Sequence, residues 1–170
     1  MTLPIIDMPI YEMTIPSSGE TVKVRPFTVK EEKLLLMAKE SETAADILGA
    51  IKQVVNNCSL ETKLVVDKLP IFDLEYLFLK LRSLSVDNVV KISYKDFEDN
   101  KEYNFQIDLN KVEVKFPENN NENIKISNKS GIVMKYPTAS LYDDKEFTNL
   151  EKDYMFELIV RCIDKIYYED

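Results

Sequence analysis

The sequence predicts an α+β fold: an N-terminal β-hairpin, central helices, an antiparallel sheet of about four to five strands and a long C-terminal helix. Three observations carry that prediction. Apolar and polar residues alternate on both sides of a Pro-Ser-Ser-Gly turn near the N-terminus. Apolar residues then fall at three-four spacing as far as Ser85. After Ser85 the period returns to two, before a last helical stretch. Residues 10–170 read as one domain behind an arm at 1–9, with hairpin 10–27, helices 28–84, strands 88–136 and helix 147–168.

The arm, "MTLPIIDMP", holds two prolines and no helical period, so it reads as extended. Tyr11, Met13 and Ile15 alternate with polar residues, as do Val22 and Val24, and Pro16-Ser17-Ser18-Gly19 between them is a turn signal. Thr28-Val29-Lys30-Glu31 has the form of a capping box, in which a hydroxyl and a carboxylate satisfy each other's backbone N–H groups. A helix is expected from there to 39, and a second over 42–57. In the second, Ala44, Ile47, Leu48, Ile51, Val54, Val55 and Cys58 make one face, which predicts a buried, inert thiol. The stretch "SLETKLVVDKL" fits a short helix or a loop. Pro70 then opens a helix over 70–84, at a first-turn position where its missing N–H does no harm.

Beyond Ser85, Val90, Ile92 and Tyr94 alternate with polar residues, as do Tyr103, Phe105, Ile107 and Leu109 across the "KDFEDNK" loop. Val112, Val114 and Phe116 continue the alternation. After the polar loop "PENNNEN", Ile124 and Ile126, then Ile132, Met134 and Tyr136, predict two more strands around Asn128-Lys129-Ser130-Gly131. Thr148…Glu151 repeats the capping-box form before the last helix. The buried stripe expected there is Leu150, Tyr154, Met155, Leu158, Ile159, Cys162, Ile163 and Ile166, with Glu157 and Arg161 at supportive i,i+4 spacing on the other side.

Composition narrows the chemistry. The chain has 170 residues, 45% of them hydrophobic and 31% charged with both signs interspersed, which suits a core-building domain rather than a disordered chain. The net charge of −8 argues against non-specific binding to nucleic acid or anionic membrane. No histidine is present, which removes His-assisted nucleophilic catalysis and His–metal sites. Two cysteines, Cys58 and Cys162, make neither a disulfide framework nor a four-thiolate metal site. Three glycines leave no phosphate-cradling loop. No run approaches membrane-spanning length and no secretion signal opens the chain, so a soluble cytosolic protein without cofactor or metal is expected.

Acidic clusters are the remaining chemical signal. Asp96, Glu98 and Asp99 miss the calcium-loop template, since its sixth position falls on Lys101 and its twelfth on Ile107. A solvated hairpin tip is expected instead. Asp143-Asp144 is placed to favour a helix N-terminus. A small hydrolase is the alternative from another class; it would draw on Asp96, Glu98, Asp143 and Asp144, although no spacing singles out a pair. Asn57-Cys58-Ser59 and Asn128-Lys129-Ser130 match the glycosylation triplet by chance.

"KLPIFDLEYLFLKLRSLS" is the most distinctive stretch. At about 100° per residue, Ile71, Leu74, Leu77, Phe78, Leu81 and Leu84 fill one broad face, and Phe72, Tyr76 and Leu79 a second, narrower one. Helices apolar on nearly every side are usually buried, which makes this a central helix clamped on both sides, with Phe78 fully buried. The functional alternative gives the second face, Phe72, Tyr76 and Leu79 with Arg82, to a partner, since interface cores favour aromatics and Arg.

Four stretches, "YEMTIPSSGETVKVRPFTVKEEKLLLMA", "AIKQVVNNC", "KLPIFDLEYLFLKLRSLSV" and "IDLNKVEV", resemble, in that order and spacing, the baseplate hub assembly protein family of T-even-like (T4-like) contractile-tailed bacteriophages. The resemblance covers about residues 10–166, and "AIKQVVNNC" and "KLPIFDLEYLFLKLRSLSV" are its most specific parts. It implies a non-enzymatic assembly factor or chaperone that binds other hub or tape-measure proteins in the cytoplasm of an infected bacterium. Its structural variant is a permanent subunit of the baseplate hub in the virion. Members of that family carry cysteine pairs in the hairpin that here reads "SYKDFEDNKEYN"; this chain has none there, so no metal is expected. Members also continue beyond "RCIDKIYYED" with a further acidic helical segment, where this chain stops at Asp170.

Overall fold

A computed structural model describes residues 8–60, 64–118, 121–150 and 152–168. The proposed arm therefore lies, but for Met8 and Pro9, outside the described residues, as does Glu151 of the second capping box. The chain divides into two units, Met1–Leu64 with Glu75–Val114, and Val65–Leu74 with Lys115–Asp170.

The first unit opens with strands β1 (Tyr11–Thr14) and β2 (Thr21–Val24), paired antiparallel from Tyr11↔Val24 to Thr14↔Thr21. Alternation turns Met13, Val22 and Val24 inward, where all are buried. The turn closes through Ile15 N–H to Glu20 O at 2.8 Å and Gly19 N–H to Ile15 O at 2.9 Å; Gly19 takes φ 71°, a left-handed angle that glycine adopts at no steric cost. Helix α1 (Val29–Ser41) starts on the expected capping box and ends at Glu42 in the left-handed region. Helix α2 (Ala44–Cys58) is capped by the Thr43 hydroxyl, which accepts from Asp46 N–H at 3.2 Å. Of the expected face it buries Val54, Val55 and Cys58 but leaves Ala44 and Ile47 exposed, and it buries Ala50, which is not among the residues expected there. Helix α3 (Ile71–Ser85) belongs to this unit from residue 75 onward and buries Leu77 and Leu81 in it. Phe78 is half-buried rather than fully enclosed as expected. Strands β3 (Val89–Lys95) and β4 (Glu102–Asp108) form a second antiparallel hairpin.

The second unit holds the first turn of α3, where Asp73 and Leu74 are completely buried. Backbone bonds tie this turn to residues 137–139, from Ile71 N–H to Pro137 O at 3.0 Å and from Ala139 N–H to Leu69 O at 2.8 Å. Its sheet has three antiparallel strands, β5 (Asn123–Lys125), β6 (Ser130–Met134) and β7 (Ile163–Tyr168), in that order. Gly131 on the central strand is required by close approach: a Cβ there would run into the Tyr167 ring and come within 2.8 Å of Ile124 O. Two helices precede the last strand, α4 (Lys145–Thr148) and α5 (Tyr154–Arg161).

The C-terminal architecture corrects the sequence prediction. Residues 147–168 do not form one long helix: α4 and α5 span four and eight residues, and the last element is β7. Thr148 is unavailable as a cap, because its hydroxyl donates to Asp144 O at 3.1 Å within α4. The tail Ile163-Asp-Lys-Ile-Tyr-Tyr is β-branched and aromatic, suited to a strand, and β6 offers it an edge in the register Ile132↔Ile166. The expected sheet of four to five strands is likewise split into the β3–β4 pair and the three-stranded β5–β6–β7 set, so that with the N-terminal hairpin there are three small antiparallel sheets. Alternation identifies a strand but not its neighbour, and each of these strands is satisfied within its own hairpin or three-stranded set. Val112, Val114 and Phe116 form no strand; Phe116 is held by ring packing instead.

Candidate functional site

The residues proposed for a partner all lie on α3, Phe72 in its first turn and Tyr76 one turn further on. Phe72, in the second unit, sits edge-on to Phe116 at 5.9 Å and to Tyr136 at 5.0 Å. Its own unit thus takes up the ring, and half-burial leaves only part of it exposed. Phe72→Ala is expected to cost about 2 kcal/mol by loss of these two edge contacts and their buried area. Chemical denaturation checks this, and a loss below about 0.5 kcal/mol would mean the ring is not held by its own chain.

Tyr76, Leu79 and Arg82 belong to the first unit and are half-buried. Tyr76 helps line a partly open cavity of ≈ 270 Å³ with Tyr11, Met13, Lys80, Leu84 and Asn110. Lys80 is committed there: Nζ donates to Leu109 O at 3.1 Å and Asn110 O at 2.9 Å, and lies 5.1 Å from the centre of the Tyr76 ring. The cation thus fixes the chain after β4 against α3 rather than waiting for a ligand.

"RPFTVKEEK" proves to be a small buried ionic device. Glu31 accepts from Thr28 N–H at 2.9 Å, from the Thr28 hydroxyl at 2.6 Å and from Arg25 Nη2 at 3.1 Å, and only 2% of the residue is exposed. Burial pushes its carboxyl up. The Arg25 and Thr28 hydrogen bonds and the Arg25 charge outweigh that and bring it from 4.5 to about 2. Arg25 also donates to Pro26 O at 3.0 Å, and its backbone N–H donates to Cys58 O at 2.9 Å, fastening the end of α2 to the hairpin. The capping box was legible from Thr28 and Glu31. Arg25, six residues before Glu31, carries no helical-spacing signal and reads as one scattered base among others.

Both thiols are buried. Burial pushes Cys58 up to about 11, against the lowering effect of Arg25, so it stays protonated and unreactive at neutral pH. Burial also raises Cys162. The acids named for a hydrolase are structural where the geometry is clear. Asp96 accepts from Glu98 N–H at 2.8 Å in the hairpin turn. Asp144 caps α4 through Glu146 N–H at 2.9 Å and meets Arg161 Nη2 at 3.2 Å. Arg161 also pairs with Glu157, the i,i+4 pair expected from the sequence. Among the described residues no three His, Cys, Asp or Glu side chains gather as a metal site would need.

Helix α5 presents an exposed apolar face. Met155 and Phe156 are 64% and 65% exposed, and Ile159 and Val160 one turn later are exposed beside them. Sequence periodicity had turned Met155, Ile159 and Ile166 inward; all three face outward. The expected buried stripe is not formed, because the helix that would have carried it ends at Arg161, and Ile163 and Ile166 lie in β7. These four large apolar side chains are neighbours on one short helix rather than scattered surface residues.

Among the described residues no helix is long and apolar enough to cross a membrane. A family model described as "T4 bacteriophage base plate protein" matches residues 8–170. No curated protein and no solved structure matches the chain.

Proposed function

The chain belongs to the T4 bacteriophage base plate protein family, and from that premise we propose that it is a non-enzymatic docking protein of the baseplate hub, acting while the hub is assembled in the host. The observation that carries this reading is the apolar face of α5, which Met155, Phe156, Ile159 and Val160 present outward. An apolar face of this kind is covered in an assembly, and another baseplate protein with a matching apolar groove is the fitting occupant. Tyr76, Leu79 and Arg82 on α3 are proposed as a smaller, second contact; Phe72 is engaged by Phe116 and Tyr136.

The test is co-expression with the hub and tape-measure proteins of the same phage, followed by size exclusion. At least one of them is expected to migrate with this chain, and a Met155→Ser/Phe156→Ser variant is expected to lose the complex while melting at an unchanged temperature. If wild-type protein migrates alone against the whole set, the reading is wrong. Mass spectrometry of purified virions then separates an assembly factor, absent from particles, from a permanent subunit, present in them.

A further inference from the structure

We propose that the β3–β4 hairpin is a docking finger whose apolar face and tip enter a groove on another baseplate protein, apolar within and rimmed by Lys and Arg. The proposal rests on the docking reading above and adds a second, chemically distinct contact to it. In the register Val90↔Ile107, Ile92↔Phe105 and Tyr94↔Tyr103, directly opposed residues share one face of the ribbon. That face is apolar throughout. Ile92, Tyr94, Tyr103, Phe105 and Ile107 remain 41–56% exposed on it. The opposite face is polar, with Lys91 opposite Gln106, Lys95 opposite Glu102, and Ser93 bonded to Asn104 at 2.5 Å. A two-stranded ribbon is marginal by itself, and an all-apolar face is one that normally packs on something.

The tip identifies what that is. Asp96 N–H donates to Lys101 O at 2.9 Å, Asp96 accepts from Glu98 N–H at 2.8 Å, and Asp99 accepts from Lys101 N–H at 2.9 Å. This closed turn holds out Phe97, 85% exposed, between carboxylates. Asp99 is paired with Lys101 at 2.9 Å. An aromatic anchor ringed by Asp96 and Glu98 fits an apolar pocket with a basic rim. A second copy of this chain fits poorly. It carries the same acidic tip and the same −8 charge, and five half-exposed side chains offer on the order of 500 Å², short of the roughly 800 Å² per partner of a stable interface. A groove that takes the tip as well as the face makes up the difference.

Hydrogen exchange on the full chain, free and in complex with the co-expressed hub protein, tests the proposal directly. Amides of residues 89–108 are expected to be protected in the complex. Phe97→Ser is expected to weaken binding at least tenfold, and Glu98→Lys to weaken it severalfold with a flatter salt dependence, both with the melting temperature unchanged. If the complex forms with α5 protected and residues 89–108 unprotected, the finger is overturned and the docking reading stands. If no hub protein binds at all, both fall. If the chain binds only itself through residues 89–108, the finger's occupant is a second copy and the basic-rimmed groove is overturned.

Discussion

Phe147→Ala is expected to lower the unfolding free energy by about 4 kcal/mol, the middle of the range for a large aromatic removed from a core. Phe147 is completely buried. Its ring meets Tyr142 edge-on at 5.9 Å and Tyr154 in a tilted stack at 4.8 Å, and the Arg161 guanidinium lies 5.3 Å from its centre. Truncation would leave a cavity among groups that are themselves fastened, since Arg161 is held by Asp144 and Glu157. The wall cannot close in, which is the condition for a large penalty. Urea denaturation should show a lower midpoint with the slope retained. A loss below about 1 kcal/mol would mean that the ring cluster is not a core.

Glu31→Gln is expected to cost about 3 kcal/mol at neutral pH, because it removes the charge facing Arg25 while leaving the side chain in place. The sign follows from the shift. Glu31 falls from 4.5 to about 2 on folding, so its stabilisation is complete above pH 4.5 and is lost as pH falls through 2. The wild-type stability curve should therefore drop between those limits by about 3 kcal/mol more than that of the Gln variant, and the two should converge near pH 2. Parallel curves over that interval would show that the carboxylate is not held by Arg25. Glu31→Ala should be worse than Gln, since it also strips the acceptor from the Thr28 N–H and hydroxyl and so removes the carboxylate half of the capping box on α1.

What could be read from the sequence was whatever neighbours in the chain decide. The β1–β2 hairpin, the cap on α1 and the C-terminal part of the buried face of α2 depend on residues a few positions apart, and so does the i,i+4 pair Glu157–Arg161; each has the expected form. Family membership was legible for a related reason, since long ordered stretches of particular residues are themselves linear signals. The candidate surface was legible only as a list of large apolar residues. Periodicity says which of them share a side of a helix, not whether anything covers that side. Phe72 is claimed by Phe116 and Tyr136, forty-four and sixty-four positions later, while Met155 and Ile159, read as core, face outward.

The tertiary structure alone decided the rest, and the reason is the same at each place. Residues 163–168 hold isoleucines and tyrosines that suit helix or strand, and the free edge of β6 selects strand because pairing there satisfies a row of backbone groups at once. Arg25 reads as one base among many until folding closes it on Glu31, six residues on, with the end of α2 fastened to its backbone. Local order followed from near neighbours over residues 10–85: where the first hairpin turns, where α1 is capped and where each helix starts. Strand partners, the last element and the faces left for other proteins came from contacts between distant residues, whose energies no local pattern records.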